Sequence, residues 1–292
     1  MLDSHEFALC LTHDVDRPYE TFQAPYYAIR DRDPARLRTF ISDERPFWQF
    51  ETVMETEAEL GVRSSFYFLQ EKRLFRDKPV REWFSPTNWK LFTGRYDVTD
   101  DEIATIIGEL DRGGWEVGLH GSYESYEDGD RLRHEKTVLE SVLGDEVIGG
   151  RQHYLNLDVP RTWELQRAAG LRYDASLGSV DEVGFQHGYD PLRPFDDEFI
   201  VFPLTAMEVA LMADRDDGRT PLERVRTLLW EAAQEEGVVT VLWHPQFFNE
   251  ELFPGYRRLY VDLIEFATDL GAWIGPVGNL YRKLTAAEGV VD

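Results

Sequence analysis

The sequence of 292 residues holds one cysteine, Cys10, so no disulfide can form within the chain. Cys10 lies inside the apolar stretch Phe7-Ala8-Leu9-Cys10-Leu11, where a small thiol packs as buried filler. Lysine is nearly as scarce: Lys72, Lys78, Lys90, Lys136 and Lys283 are five of the 31 basic residues, and arginine supplies the rest. Against 55 acidic residues this leaves a formal net charge of −24, which repels nucleic-acid phosphates and anionic membrane surfaces and excludes nucleic acid as an expected partner. A composition rich in acid and poor in lysine points to a halophile's cytoplasm, where concentrated salt screens self-repulsion. No apolar run approaches the roughly 18–20 residues of a membrane span, so no membrane insertion is expected. The chain opens with Asp3, His5 and Glu6 instead of a basic region followed by an apolar one, which gives a cytoplasmic expectation.

What is present is ample core material, with 42% hydrophobic and 13% aromatic residues. The length suits a single α/β barrel, which commonly runs to about 200–250 residues and longer with insertions. No internal repeat or linker stands out, so one domain over residues 1–292 is expected. Phe7–Leu11 reads as a buried strand, Trp48–Leu60 as a helix closed by Gly61, and Ser64–Leu69 as a second strand. Residues 70–100 carry charges, Pro79, Pro86 and aromatics without a sustained period, which predicts an inserted loop over the barrel mouth. Helix and strand then alternate. Helices are expected at Asp101–Arg112, Arg131–Leu143, Pro160–Ala169, Thr220–Glu236 and Leu259–Leu270. Strands are expected at Trp115–Leu119, Val147–Gly150, Tyr173–Asp174, Val238–Trp243 and Ala272–Ile274.

The residues with chemical potential cluster at the ends of these strands. Asp14 and Asp16 lie two apart, so in extended backbone both carboxylates point to one side, one free to bind a metal and the other to act as a base. An Asx-turn would use the same Asp-Val-Asp. His13 points the other way, as a packing or orienting residue. His120 follows the Trp115–Leu119 strand, where a neutral imidazole can ligate a divalent ion and Glu124 can reach it from the next turn; a solvated surface histidine is the alternative. Arg151 can orient a carboxylate through its guanidinium fork or serve a structural ion pair. His244 emerges after the most apolar strand and precedes Pro245. Convergence at strand termini is the signal that joins them, because α/β barrels collect catalytic groups there.

Taken in order, these clusters resemble the motifs of the polysaccharide deacetylase family, carbohydrate esterases with a distorted (β/α) barrel around one divalent metal. Thr12-His13-Asp14-Val15-Asp16 is similar to the first motif, which implies Asp14 as base and Asp16 as metal ligand. His120-Gly121-Ser122-Tyr123-Glu124 is similar to the metal-binding motif, with Glu124 where the family usually has a second histidine. By that resemblance the ligands are Asp16, His120 and Glu124, with His153 a substitute for the third, and the ion is zinc, with cobalt or nickel alternatives. Gly150-Arg151-Gln152-His153-Tyr154 is similar to the third motif, whose arginine holds the base. Tyr173-Asp174-Ala175-Ser176-Leu177 is similar to the fourth, and Val241-Leu242-Trp243-His244-Pro245 to the fifth, which carries the general-acid histidine. Tyr154, Asp174 and Trp243 are the implied groove residues.

The resemblance implies hydrolysis of an acyl group, expected to be acetyl, from the amine of an N-acetylated sugar or polysaccharide. Two rivals stand beside it: a hydrolase of another non-peptide C–N bond, such as a cyclic ureide or imide, and a metal-free barrel that only binds a glycan. Trp83, Trp89, Phe247 and Phe248 either stack on sugar rings or pack the insertion against the barrel.

Overall fold

The computed structural model describes residues 5–19, 28, 29, 32, 37, 45–92, 96–214 and 218–287. Among them one parallel sheet carries the architecture. Its strands are β1 (Ala8–Val15), β2 (Ser65–Leu69), β3 (Glu116–Gly121), β4 (Gly149–Gln152), β5 (Tyr173–Asp174), β6 (Ile200–Val201), β7 (Ala206–Met207), β8 (Val238–Leu242) and β9 (Trp273–Gly275). The spatial order is β6-β5-β4-β3-β2-β1-β8-β7. Along one side of β1, β9 pairs with Ala8–Cys10 while β2 pairs with Thr12–Val15. The helices between successive strands include α1 (Phe50–Glu59), α2 (Pro86–Phe92), α3 (Asp101–Arg112), α4 (Gly129–Leu143), α5 (Arg161–Ala168), α6 (Glu208–Met212), α7 (Pro221–Gln234) and α8 (Tyr256–Asp269), and α9 (Val277–Ala287) follows the last strand.

Every residue of β1 is buried, because the strand is covered on both faces. The two-residue period of the strand separates those faces. Leu9, Leu11 and Val15 join the larger core between sheet and helices. Ala8 and Cys10 point into the barrel with Tyr67, Tyr173 and Phe202, and α9 closes that interior with Val277, Leu280, Tyr281 and Leu284. Cys10 is fully buried, and desolvation holds its thiol far above the ordinary range. The inward residues of β1 thus run from apolar Ala8 and Cys10 to polar Thr12 and Asp14.

Most expected elements form within a few residues of their expected bounds. The first strand is longer, continuing through His13 and Asp14 to Val15. The insertion is more regular than expected: Val80–Phe84 makes a 3₁₀ turn, and Pro86 opens α2 at the first helical position, where a missing N–H does no harm. Residues 93–95 of that insertion lie outside the described residues. The elements β6, β7, α6 and α9 had no counterpart in the sequence reading; β6 and β7 have two residues each, too few for any period to show.

Candidate metal centre

The polar ends of β1, β3, β4 and β8 meet at one mouth of the barrel. His120, near the end of β3, places its Nδ1 3.0 Å from the carbonyl oxygen of Arg151. A carbonyl only accepts, so this bond fixes the proton on Nδ1 and leaves the Nε2 lone pair facing the mouth. That Nε2 lies 3.0 Å from Asp16 Oδ1 and 3.0 Å from His153 Nδ1, and His153 Nδ1 lies 3.2 Å from Asp16 Oδ1. Asp16 Oδ1 is buried without a hydrogen-bond donor. The lone pair of His120 Nε2, Asp16 Oδ1 and His153 Nδ1 therefore converge where a buried carboxylate oxygen has no other satisfaction, and once His153 Nδ1 gives up any proton it holds, a cation relieves the arrangement. Two imidazoles and a carboxylate form a donor set suited to zinc with a position left open, and the spacing is compatible with three bonds of about 2.0–2.2 Å.

The electrostatics agree with the geometry. Burial works against ionising Asp16, yet His153, His120 and His244 around it hold its carboxyl well below the usual carboxylate range. Burial likewise opposes charge on His120, but the Asp14 and Asp16 carboxylates outweigh it and raise its pKa. The negative potential that draws a proton here is the one a divalent ion would meet.

Asp14, buried to 3% exposure, stands 3.8 Å from His120 Nε2 through Oδ2. Its Oδ1 accepts 2.8 Å from Arg151 Nη1, which also donates to Thr12 Oγ1 at 2.8 Å. Arg151 Nε donates to the Ala175 carbonyl, so one guanidinium ties β1, β4 and the segment after β5 together around Asp14. On the other side His244 Nε2 lies 3.6 Å from Asp16 Oδ2, while its Nδ1 is 2.8 Å from Glu208 Oε1. Burial opposes charge on His244, but Glu208 and then Asp16 hold its pKa well above the ordinary imidazole value.

Asp14, Asp16, His120, Arg151 and His244 are thus together, and three other expectations are corrected. Glu124 is not with the metal donors: the turn after β3 carries it to the insertion, where Lys72 Nζ and Lys78 Nζ bind its oxygens at 3.0 and 2.9 Å. Against the cost of desolvation, those two ammonium groups lower its pKa. His153, the substitute ligand, takes the third place. Asp174 does not line a groove. It is fully buried, and its carboxylate accepts from Gln166 Nε2 at 2.7 Å, Ser176 Oγ at 2.6 Å and Trp163 Nε1 at 3.2 Å. Trp243 is also fully buried, packed on Tyr260 with ring centroids 5.2 Å apart. A two-residue period points it at the helix layer.

Tyr154 does reach the surface, 43% exposed, with its ring 4.4 Å from that of His153. Tyr154 and Leu155 both adopt left-handed backbone, φ +59° and +54°, a costly choice for two consecutive side chains beside a candidate ligand. Across the mouth, Phe247 stacks on Tyr256 at 4.6 Å and stands 6.2 Å from His244. Phe248, by contrast, is buried, and Trp83 packs on Phe75 within the insertion at 5.2 Å. The residue missed in the sequence is Glu208. Its signal was a lone acid within the apolar run Ala206-Met207-Glu208-Val209-Ala210-Leu211, where burial demands a partner.

No family model matches this sequence, and no curated protein matches it. Solved structures do. A Mycobacterium smegmatis protein assigned as a polysaccharide deacetylase aligns over 99% of this chain and 93% of its own, with 17% identity and a TM-score of 0.61. The chitin deacetylase of the fungal pathogen Colletotrichum lindemuthianum aligns over 94% and 87%, with 12% identity and a TM-score of 0.52. A CE4 family pseudoenzyme from Bacillus anthracis covers 95% of this chain and 66% of its own at 12% identity and a TM-score of 0.50. Together with the curled parallel sheet and its helices, these similarities establish that the chain has the distorted (β/α) barrel fold of the polysaccharide deacetylases.

Proposed function

We propose that this protein is a metal-dependent hydrolase of the polysaccharide deacetylase family that removes an acetyl group from the amine of an N-acetylated sugar. The observation that carries the reading is the meeting of Asp16, His120 and His153, whose ligand atoms lie within 4.8 Å of one another, between Asp14 and His244. Fold alone would not carry it, since one structural neighbour is a pseudoenzyme. The donor triad favours the enzyme over a metal-free glycan binder, because without an ion Asp16 Oδ1 stays buried and unbonded.

Asp16, His120 and His153 would hold the ion, with zinc suited to the donor set and cobalt or nickel alternatives. Such an ion supplies Lewis acidity toward the acyl carbonyl and lowers the pKa of water at the site. Asp14 takes the proton of the attacking water, and Arg151 keeps its Oδ1 occupied so that Oδ2 faces the reaction. Glu208 binds His244 Nδ1, which aims the protonated Nε2 at the mouth, where it delivers a proton to the leaving amine as the C–N bond breaks. Acetate and the free amino sugar leave. The exposed Tyr154 ring and the Phe247–Tyr256 stack form aromatic walls on either side, suited to sugar rings.

The test uses N-acetylglucosamine oligosaccharides and purified protein of known metal content. Asp14→Asn should lower turnover by about 10²–10⁴-fold with metal retained, as expected for removal of a general base. Asp16→Asn should lose both metal and turnover. Wild-type activity in Asp14→Asn would overturn the assignment.

A further inference from the structure

A second polar cluster lies behind the metal centre, in the layer between sheet and helices where the surroundings are otherwise apolar. His13 and Glu57 are both fully buried. His13 projects from the outer face of β1, and its ring packs on Phe66 at 4.7 Å and Tyr260 at 5.7 Å. Its Nε2 is 2.8 Å from Glu57 Oε1, on α1. Glu57 also accepts from Tyr260 Oη at 2.7 Å and from Trp115 Nε1 at 2.7 Å. Desolvating an imidazole and a carboxylate together is expensive, and packed hydrophobic residues of similar volume often do as well or better for stability. Stability alone is therefore a weak reason for the pair.

The other end of the imidazole supplies a stronger one. His13 Nδ1 lies at 2.5 Å from the carbonyl oxygen of Trp243, and since a carbonyl only accepts, that nitrogen carries the proton. The Trp243 N–H donates to the Thr12 carbonyl at 2.9 Å. Both backbone groups of Trp243 are thus held by β1, its N–H by main chain and its C=O by an anchored side chain. The next residue is His244, and β8 has ended at Leu242, so no further ladder bond of the strand fixes its approach.

We propose that His13, anchored by Glu57 and Tyr260, is a positioning residue that fixes the Trp243–His244 peptide and so aims the His244 imidazole at the mouth. The inference rests on the deacetylase reading for its kinetic consequence, although the placement of His244 is measurable without turnover. The relevant contact is the donation from Nδ1. Asparagine places an amide N–H near the position of Nδ1, whereas glutamine places it near Nε2 and serves only Glu57.

The experiment compares His13→Gln and His13→Asn in metal-loaded enzyme, by kinetics on N-acetylglucosamine oligosaccharides, metal content and the ring-nitrogen NMR signals of His244 at one fixed pH. His13→Gln should lower kcat by roughly 10–100-fold, the usual loss for a residue supporting a catalytic group, with KM and metal content unchanged and the His244 signal displaced. His13→Asn should recover most of kcat and the wild-type signal even if its thermal midpoint falls as far. Equal kcat losses in both variants, or a loss that follows metal content, would refute the proposal. If wild-type protein deacetylates no N-acyl sugar, the deacetylase reading fails, and the NMR signal decides: displacement in His13→Gln with recovery in His13→Asn upholds the positioning, and an unmoved signal in His13→Gln overturns it. Should His13→Gln not fold, Tyr260→Phe removes one anchor of the same pair. It should lower kcat several-fold at constant KM and displace the His244 signal, and an unmoved signal with unchanged kcat overturns the proposal.

Discussion

The two ends of the barrel carry carboxylates in opposite circumstances. At the mouth, Asp16 Oδ1 faces two imidazole nitrogens with no donor of its own. At the floor, Glu116 accepts from Ser65 Oγ at 2.5 Å and from the Gly278 N–H at 2.8 Å, capping the first turn of α9, while Ser65 Oγ in turn takes the Val277 N–H at 2.9 Å. Both acids are partly buried at one end of a parallel strand or just beyond it. Unmet bonding capacity marks the end built for a ligand, and completed bonding marks the end built for stability.

The largest effect should come from breaking the mouth. His153→Ala should weaken zinc binding, read by calorimetric titration, by more than the roughly 10–100-fold typical of outer-sphere partners. Glu124→Ala should leave zinc stoichiometry intact; the reverse pattern would restore Glu124 as a ligand.

Between the two extremes stands Glu135, fully buried beneath the mouth, which accepts from the Ser122 N–H at 3.0 Å and from Arg131 Nε at 2.5 Å. Burial, only partly offset by Arg131, pushes its carboxyl up to about 7 from an ordinary 4.5. Between those two values the unfolded chain releases the proton while the folded chain keeps it, so stability should fall as pH rises through the window and level off above it. The shift corresponds to about 3 kcal/mol as an order of magnitude. Glu135→Gln should flatten this part of the stability curve, measured by denaturant titration from pH 4.5 to 8; an unchanged slope would show that another group carries it.

The smallest effect should come from the floor. Glu116→Ala leaves the Ser65 hydroxyl and the Gly278 N–H without their acceptor and should lower stability by about 1–3 kcal/mol. Zinc affinity should not move. A change in zinc binding without a change in stability would erase the contrast between the two ends.

Much of the mouth was legible in the sequence because strand ends converge in this fold: Asp14, Asp16, His120, Arg151 and His244 each follow an apolar run, and chain order alone placed them on one rim. What was illegible depended on the direction of turns and on faces. Spacing from His120 could not reveal that the turn through Ser122 and Tyr123 swings Glu124 toward Lys72 and Lys78. Asp174 and Trp243 were misplaced because a motif does not say which face of the strand its side chain takes. Asp174 is consumed by Gln166, Trp163 and Ser176, and Trp243 belongs to the helix layer. Glu208 and Glu57 each needed a partner distant in sequence before their role could be seen.

Among the described residues, α9 is seated so that it closes one end of the barrel. With Val277, Leu280, Tyr281 and Leu284 stoppering that end against Ala8 and Cys10, the polar ends of the strands are left at the opposite one. If the proposed deacetylase reading holds, a long glycan would meet that end from the side, one residue at a time, without being threaded through the packed interior.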